Sequence, residues 1–139
     1  MSRIKIQLPK KELFQTKLTV AISDINYGGH LGNDKVLSMV HEARFRWLRS
    51  LGYKDEISID GVGTIQVDTG IQYKGEAFHG DEILITIYLG DTTARSMDLY
   101  YHLTCKTKEI ARVKTGIAFF DYTERKVTMM PDAFREKVM

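Results

Sequence analysis

The residues best suited to chemistry lie in one ten-residue stretch, Asp24-Ile25-Asn26-Tyr27-Gly28-Gly29-His30-Leu31-Gly32-Asn33. Asp24 or His30 can act as the general base that activates a water molecule, and Asn26 or Asn33 can orient it. Gly28, Gly29 and Gly32 let the backbone approach a ligand or adopt positive φ. A helix starting beside them would expose unpaired N–H groups and the positive end of its dipole, a setting that stabilises a developing oxyanion. Base, water and oxyanion donors together suit the addition of water to a carbonyl. Asp, Asn and Gly are also ordinary residues of loops and caps, so the flanking elements must decide whether these groups converge.

Upstream, residues 18–22 (Leu-Thr-Val-Ala-Ile) alternate apolar and polar, the period of a half-buried strand running into the stretch. Downstream the period becomes helical: Val36, Val40, Ala43, Trp47 and Leu51 recur at helix spacing, with Leu37, Met39 and Leu48 widening the stripe. This predicts a helix from Asp34 to Leu51, roughly 25 Å long. Asn33 or Asp34 is placed to cap its start and Gly52 to stop it. After Gly61 a β pattern takes over. Residues 62–73, 82–89, 95–105 and 110–120 are rich in Ile, Val, Thr, Tyr and Phe and are joined by short turns, which favours antiparallel neighbours. Met129-Met130-Pro131-Asp132 opens a short terminal helix with proline in its first turn. The expected fold is α+β, an antiparallel sheet of five or six strands curled around one long helix. Outward positions such as Tyr88, Tyr100 and Phe119, depending on register, would leave the second sheet face apolar and call for a homo-oligomer to cover it.

Composition limits the alternatives. The 139 residues are 43% hydrophobic and 27% charged, the balance of one globular domain spanning 1–139, with no repeat and no linker. A net charge of +2 gives no reason to expect nucleic-acid binding, and the basic excess is confined to residues 1–17, where Arg3, Lys5, Lys10, Lys11 and Lys17 face only Glu12. Cys105 is alone and no Cys/His spacing suggests zinc, so neither a disulfide nor a metal is expected. No apolar run approaches a signal peptide or a bilayer span, and the expectation is a soluble cytoplasmic protein.

The stretch from Asp24 to Asn33, followed by Leu37-Ser38-Met39-Val40-His41-Glu42-Ala43-Arg44, resembles the hotdog-fold thioesterases of the acyl-CoA and 4-hydroxybenzoyl-CoA type. Their signature reads roughly D-x-D-x-x-G-H-x-N-N at the strand-to-helix passage, then a helix with E-x-A-R or a near variant. Val67–Tyr73 with the Gly80-Asp81 turn resembles the family's second-strand tyrosine and G-D turn, and Ile110–Asp121 its last long strand. The resemblance implies a hotdog fold, hydrolysis of an acyl-CoA or acyl-carrier thioester, no metal and no cofactor beyond the CoA carried by the substrate; the composition already speaks against a membrane or nucleic-acid partner. It also implies a homodimer with a joined sheet, often paired again into a homotetramer, with the substrate entering between subunits.

Two positions depart from the family pattern. Asn26 replaces the second acidic residue, the catalytic carboxylate of the 4-hydroxybenzoyl-CoA type, and Gly28 replaces an asparagine of the plant acyl-carrier-protein type. Asp24, His30 and Asn33 stay in register, so hydrolysis would rest on Asp24 or His30 activating water. Tyr27, Gly28, Gly29, Gly32, Glu42 and Tyr73 are the expected substrate-binding residues, with Lys74 beside the pocket. Glu42 and its neighbours His41 and Arg44 read more readily as solvent-facing or salt-bridged helix residues, His79 as a surface turn residue, His102 and Cys105 as strand residues, and Trp47 as a core anchor. A hydratase or dehydratase acting on an acyl thioester, and a non-catalytic acyl-CoA binder, are the rival functions.

Overall fold

The computed structural model describes residues 1–139. Strand β1 (Lys11–Thr19) leads through a 3-10 turn (Ile22–Asp24) and the polar loop into helix α1 (Asn33–Ser50). Four long strands follow, β2 (Gly63–Tyr73), β3 (Glu82–Thr92), β4 (Ser96–Cys105) and β5 (Lys108–Asp121), then a two-residue β6 (Lys126–Val127) and helix α2 (Asp132–Val138). The strands make one antiparallel six-stranded sheet in the order β1-β3-β4-β5-β2, with β6 on β5.

Period-two alternation puts Ile83, Ile85 and Ile87 of β3, Met97, Leu99, Tyr101 and Leu103 of β4, and Val113, Ile117 and Phe119 of β5 on the inner face. There they join Val36, Met39, Val40, Ala43, Trp47 and Leu48 of α1 in one buried cluster. Burying each large side chain contributes about 1.5–3 kcal/mol, which is why the helix lies in the curl of the sheet.

The expected boundaries need four corrections. The first strand is Lys11–Thr19 rather than 18–22: its exposed and half-buried residues alternate too weakly to read, and pairing with β3 decides the matter. Ile22, expected in the strand, belongs to the 3-10 turn. Neither Asn33 nor Asp34 caps α1; the N-cap is Gly32 and no side chain accepts a first-turn N–H. Pro131 is the N-cap of α2 rather than a first-turn residue.

The outer face also differs from expectation. Phe119 points into the core and is fully buried, whereas Tyr88 and Tyr100 are cross-strand partners on the outside. Around them the face is charged: Lys114 pairs with Asp68 (2.6 Å) and Asp98 (3.5 Å), and Glu109 with His102 and Arg112, both at 2.6 Å. Part of it is covered by the chain's own start. The Ile6 N–H donates to Gln72 Oε1 (3.0 Å), its carbonyl accepts from Arg112 Nη1 (2.9 Å), and its side chain is buried beside Gly70.

Candidate functional site

The loop before α1 is held by its own polar groups. Asp24 Oδ2 accepts the Ala21 N–H (2.8 Å) and the Asp24 carbonyl accepts the Gly32 N–H (2.9 Å). Asn26 makes three bonds: Oδ1 accepts from Gly28 N–H (2.9 Å), its carbonyl from Gly29 N–H (3.0 Å), and its own N–H donates to the His30 carbonyl (3.0 Å). An Asp at this position could accept in the same way, so Asn26 serves as a turn-former here. Gly29 sits at φ +85°, a conformation that L side chains rarely adopt. The Leu31 N–H donates to the Ala77 carbonyl (2.7 Å), fastening the loop to the segment after β2.

His30 and Asn33 stand on the wall of a cavity of about 240 Å³ at the start of α1, with Leu31, Val36, Tyr73, Gly75, Glu76 and Ile110. Nδ1 of His30 lies 3.1 Å from the Leu31 carbonyl oxygen. A carbonyl only accepts, so in the neutral ring Nδ1 carries the proton and Nε2 keeps its lone pair for a substrate proton. Gly28 lies against that nitrogen: a Cβ there would sit 3.4 Å from Nε2 and 3.2 Å from Asn26 Oδ1. The Asn33 and Asp34 N–H groups open the helix and have no partner within the chain.

Tyr73, half exposed at the end of β2, donates its hydroxyl to the Asn33 carbonyl (3.1 Å) and so ties the sheet to the first turn of α1. Burial, with the Asp34 charge adding to it, pushes its phenol up, which keeps it a donor. Cavity and loop thus bring together His30, Asn33, Tyr73, Gly28 and the helix start.

Of the sequence-predicted site residues only His30, Asn33 and Tyr73 line that cavity; Asn26, Gly28, Gly29 and Gly32 shape the loop beside it, and Asp24, Tyr27 and Glu42 stand apart. Asp24 spends its carboxylate on the Ala21 N–H. Tyr27 is fully exposed at the loop tip. Glu42 lies further along α1, paired with Arg46 (2.7 Å) in a separate hollow with Ser38, His41 and Phe45. Arg44 is buried and bonds Glu56 (2.9 Å) and the Tyr101 hydroxyl (3.2 Å). The residue that the sequence did not single out is Glu76, the carboxylate residue on the His30 cavity wall, whose carbonyl is held by Lys108. Its signal was position alone, three residues beyond Tyr73. No three His, Cys, Asp or Glu side chains converge on a metal site, and no helix is long and apolar enough to cross a membrane.

A curled antiparallel sheet around a long helix, with a polar loop opening a cavity at the helix start, defines the hotdog class. The chain belongs to the thioesterase-like superfamily, whose family model matches residues 20–138. Among solved structures it is similar to the 1,4-dihydroxy-2-naphthoyl-CoA thioesterase Slr0204 from Synechocystis, at 21% identity and TM-score 0.79, over 89% of this chain and 93% of that one. The gentisyl-coenzyme A thioesterase BH1999 aligns at 19% identity and TM-score 0.79, over 88% and 99% of the two chains. SAV2348 from Staphylococcus aureus, solved in complex with CoA, aligns at 18% identity and TM-score 0.81, over 96% and 85%. No curated protein sequence matches the chain.

Proposed function

We propose that the protein is an acyl-CoA thioesterase that hydrolyses an acyl thioester to the free acid and CoA. The observation that carries this is the cavity at the start of α1, where His30 and the unpartnered first-turn N–H groups meet. The thioester carbonyl oxygen accepts from the Asn33 and Asp34 N–H groups, which face the charge that grows on it. Water, oriented by the loop amides, attacks the carbonyl carbon while His30 Nε2 takes its proton. Collapse of the tetrahedral intermediate breaks the C–S bond, and the imidazolium returns the proton to the departing CoA sulfur.

A cavity of about 240 Å³ with Leu31, Val36, Ile110 and Tyr73 on its walls suits a single aromatic ring or a short chain better than a long fatty acyl group. The aromatic substrates in the names of two similar structures support testing that class first. Strand β2 presents an unpaired edge of 11 residues with Val67 exposed, and β1 presents another, which supports a homodimer through edge pairing.

Free-thiol release from a panel of benzoyl-type, short-chain, fatty and enoyl CoA esters tests the reading. Thiol release from saturated or aromatic esters supports it. Hydration of an enoyl ester without thiol release would assign a hydratase, and tight binding without any reaction would assign a carrier.

A further inference from the structure

The basic N-terminal segment has no part in the hydrolysis just described, yet the fold fixes it beside the site. Ile6 is bonded through both its N–H and its carbonyl and is only 7% exposed, so residues 2–6 form a strap anchored on the outer sheet face. Ser2, Arg3 and Ile4 of the strap form one wall of a cavity of about 390 Å³; Ile71, Gln72 and Tyr73 form the other. Gln72 both anchors the strap and lines this cavity. Tyr73 is a wall of this cavity and of the His30 cavity alike, so the two adjoin across one side chain.

Charge points to the occupant. Lys17, at the other end of the basic segment, pairs with Glu82 at 3.5 Å, whereas Arg3 forms no ion pair with any carboxylate of the chain. A guanidinium free of carboxylates beside apolar Ile4 and Ile71 matches a ligand with both phosphate oxygens and an apolar or aromatic body. We infer that the cavity under the strap binds the phosphate-bearing nucleotide end of the CoA carrier, with Arg3 as its phosphate contact. The inference rests on the acyl-CoA reading of the His30 cavity: with the acyl group there, the carrier passes Tyr73 toward Arg3.

The test titrates CoA and, separately, pantetheine into the wild-type protein, Arg3→Ala and Arg3→Lys by calorimetry at low salt. Thiol release is measured in parallel from an acyl-CoA and from the same acyl group on N-acetylcysteamine. Arg3→Ala should weaken CoA about fivefold, the scale of one exposed charged contact, and raise KM for the CoA ester similarly. Pantetheine binding, kcat and hydrolysis of the N-acetylcysteamine ester should not change, and Arg3→Lys should recover part of the loss. Equal CoA affinity in wild type and Arg3→Ala, or no CoA binding by the wild type, overturns the inference. Hydrolysis of the N-acetylcysteamine ester with Arg3-independent CoA binding would retain the hydrolase and discard the strap subsite. Arg3-dependent CoA binding without thiol release from either ester would retain the subsite and discard the hydrolase.

Discussion

The two ends of α1 are built on opposite plans. At its C-terminal end almost every polar group is paired. Gly52, at φ +95°, lets its N–H reach the Arg49 carbonyl (3.0 Å) and the Tyr53 N–H reach that of Leu48 (3.1 Å), closing a Schellman motif. Lys137 reaches the Leu51 carbonyl (3.2 Å), and Ser50 the Trp47 carbonyl (2.6 Å). Phe134 of α2 packs edge-on against Trp47 (6.1 Å between ring centroids) and Phe119 (5.3 Å), with Tyr53 tilted beside it (5.9 Å). Arg44 crosses to Glu56 and Tyr101, whose hydroxyl continues to Thr115 at 2.8 Å. At the N-terminal end the cap is a glycine without a side-chain bond, the Asn33 and Asp34 N–H groups are free, and the loop residues around Tyr27 and Gly29 are exposed. Anchoring one end holds the helix in place and leaves the backbone donors of the other available to a ligand.

The largest expected effect is at the closed end. Trp47→Ala should remove about 3–5 kcal/mol of stability through the cavity it opens, read as a lower urea midpoint, with the rate per folded molecule nearly unchanged. A large drop in kcat for the folded fraction would show that the two ends are coupled.

At the open end the pattern should reverse. His30→Ala should lower kcat on the order of 10²-fold, equivalent to about 2.7 kcal/mol of barrier, while the melting temperature stays close to wild type. Asp24→Asn should cost far less, because its carboxylate is bonded to Ala21 and an amide oxygen can accept the same N–H. Equal losses in the two variants would return Asp24 to the chemistry.

Gly29→Ala is the next step down. No atom lies within 4 Å of the added Cβ, so the cost is that of φ +85° alone, roughly 1–2 kcal/mol for an L residue. Gly29→Asn should recover part of it, since Asn tolerates that region better. A difference between the two in melting temperature, with turnover following it, would show that loop conformation rather than steric access governs the open end.

The smallest effect lies on the outer sheet face, away from both ends. Arg112 and then His102, through their bonds, hold the Glu109 carboxyl down at about 2 against an ordinary 4.5. A carboxyl depressed in the fold contributes stability that is complete above its unfolded value and is lost as pH falls from about 4.5 toward 2. Glu109→Gln should therefore flatten the acid limb of a urea-midpoint profile and leave the profile near neutral pH little changed in slope. An unaltered acid limb would mean that the bonds to Arg112 and His102 do not survive in solution.

Much of this was legible from local pattern. The stripe from Val36 to Leu48 fixed the helix to within a residue, because 3.6-residue spacing needs no knowledge of the partner surface. Gly52 marked its end, since a left-handed residue there is nearly a glycine monopoly. Runs rich in Ile, Val, Thr, Tyr and Phe between short turns located β2 to β5, and Asp24–Asn33 stood out because its residue types are those of backbone bonding and proton transfer. The tertiary structure decided what depends on distant partners. Strand β1 exists through its pairing with β3, and Phe119 faces inward because the register with β4 sets which half of the alternation is inside. Asp24 and Asn26 became turn-formers once their acceptors met nearby N–H groups. Glu42 was taken by Arg46, and Glu76 shares a cavity wall with His30 because the segment after β2 bonds to Leu31. The sequence determined which residues can form elements and accept protons; which of them meet was decided by packing and hydrogen bonds between segments as far as 106 residues apart, such as Arg112 on Ile6.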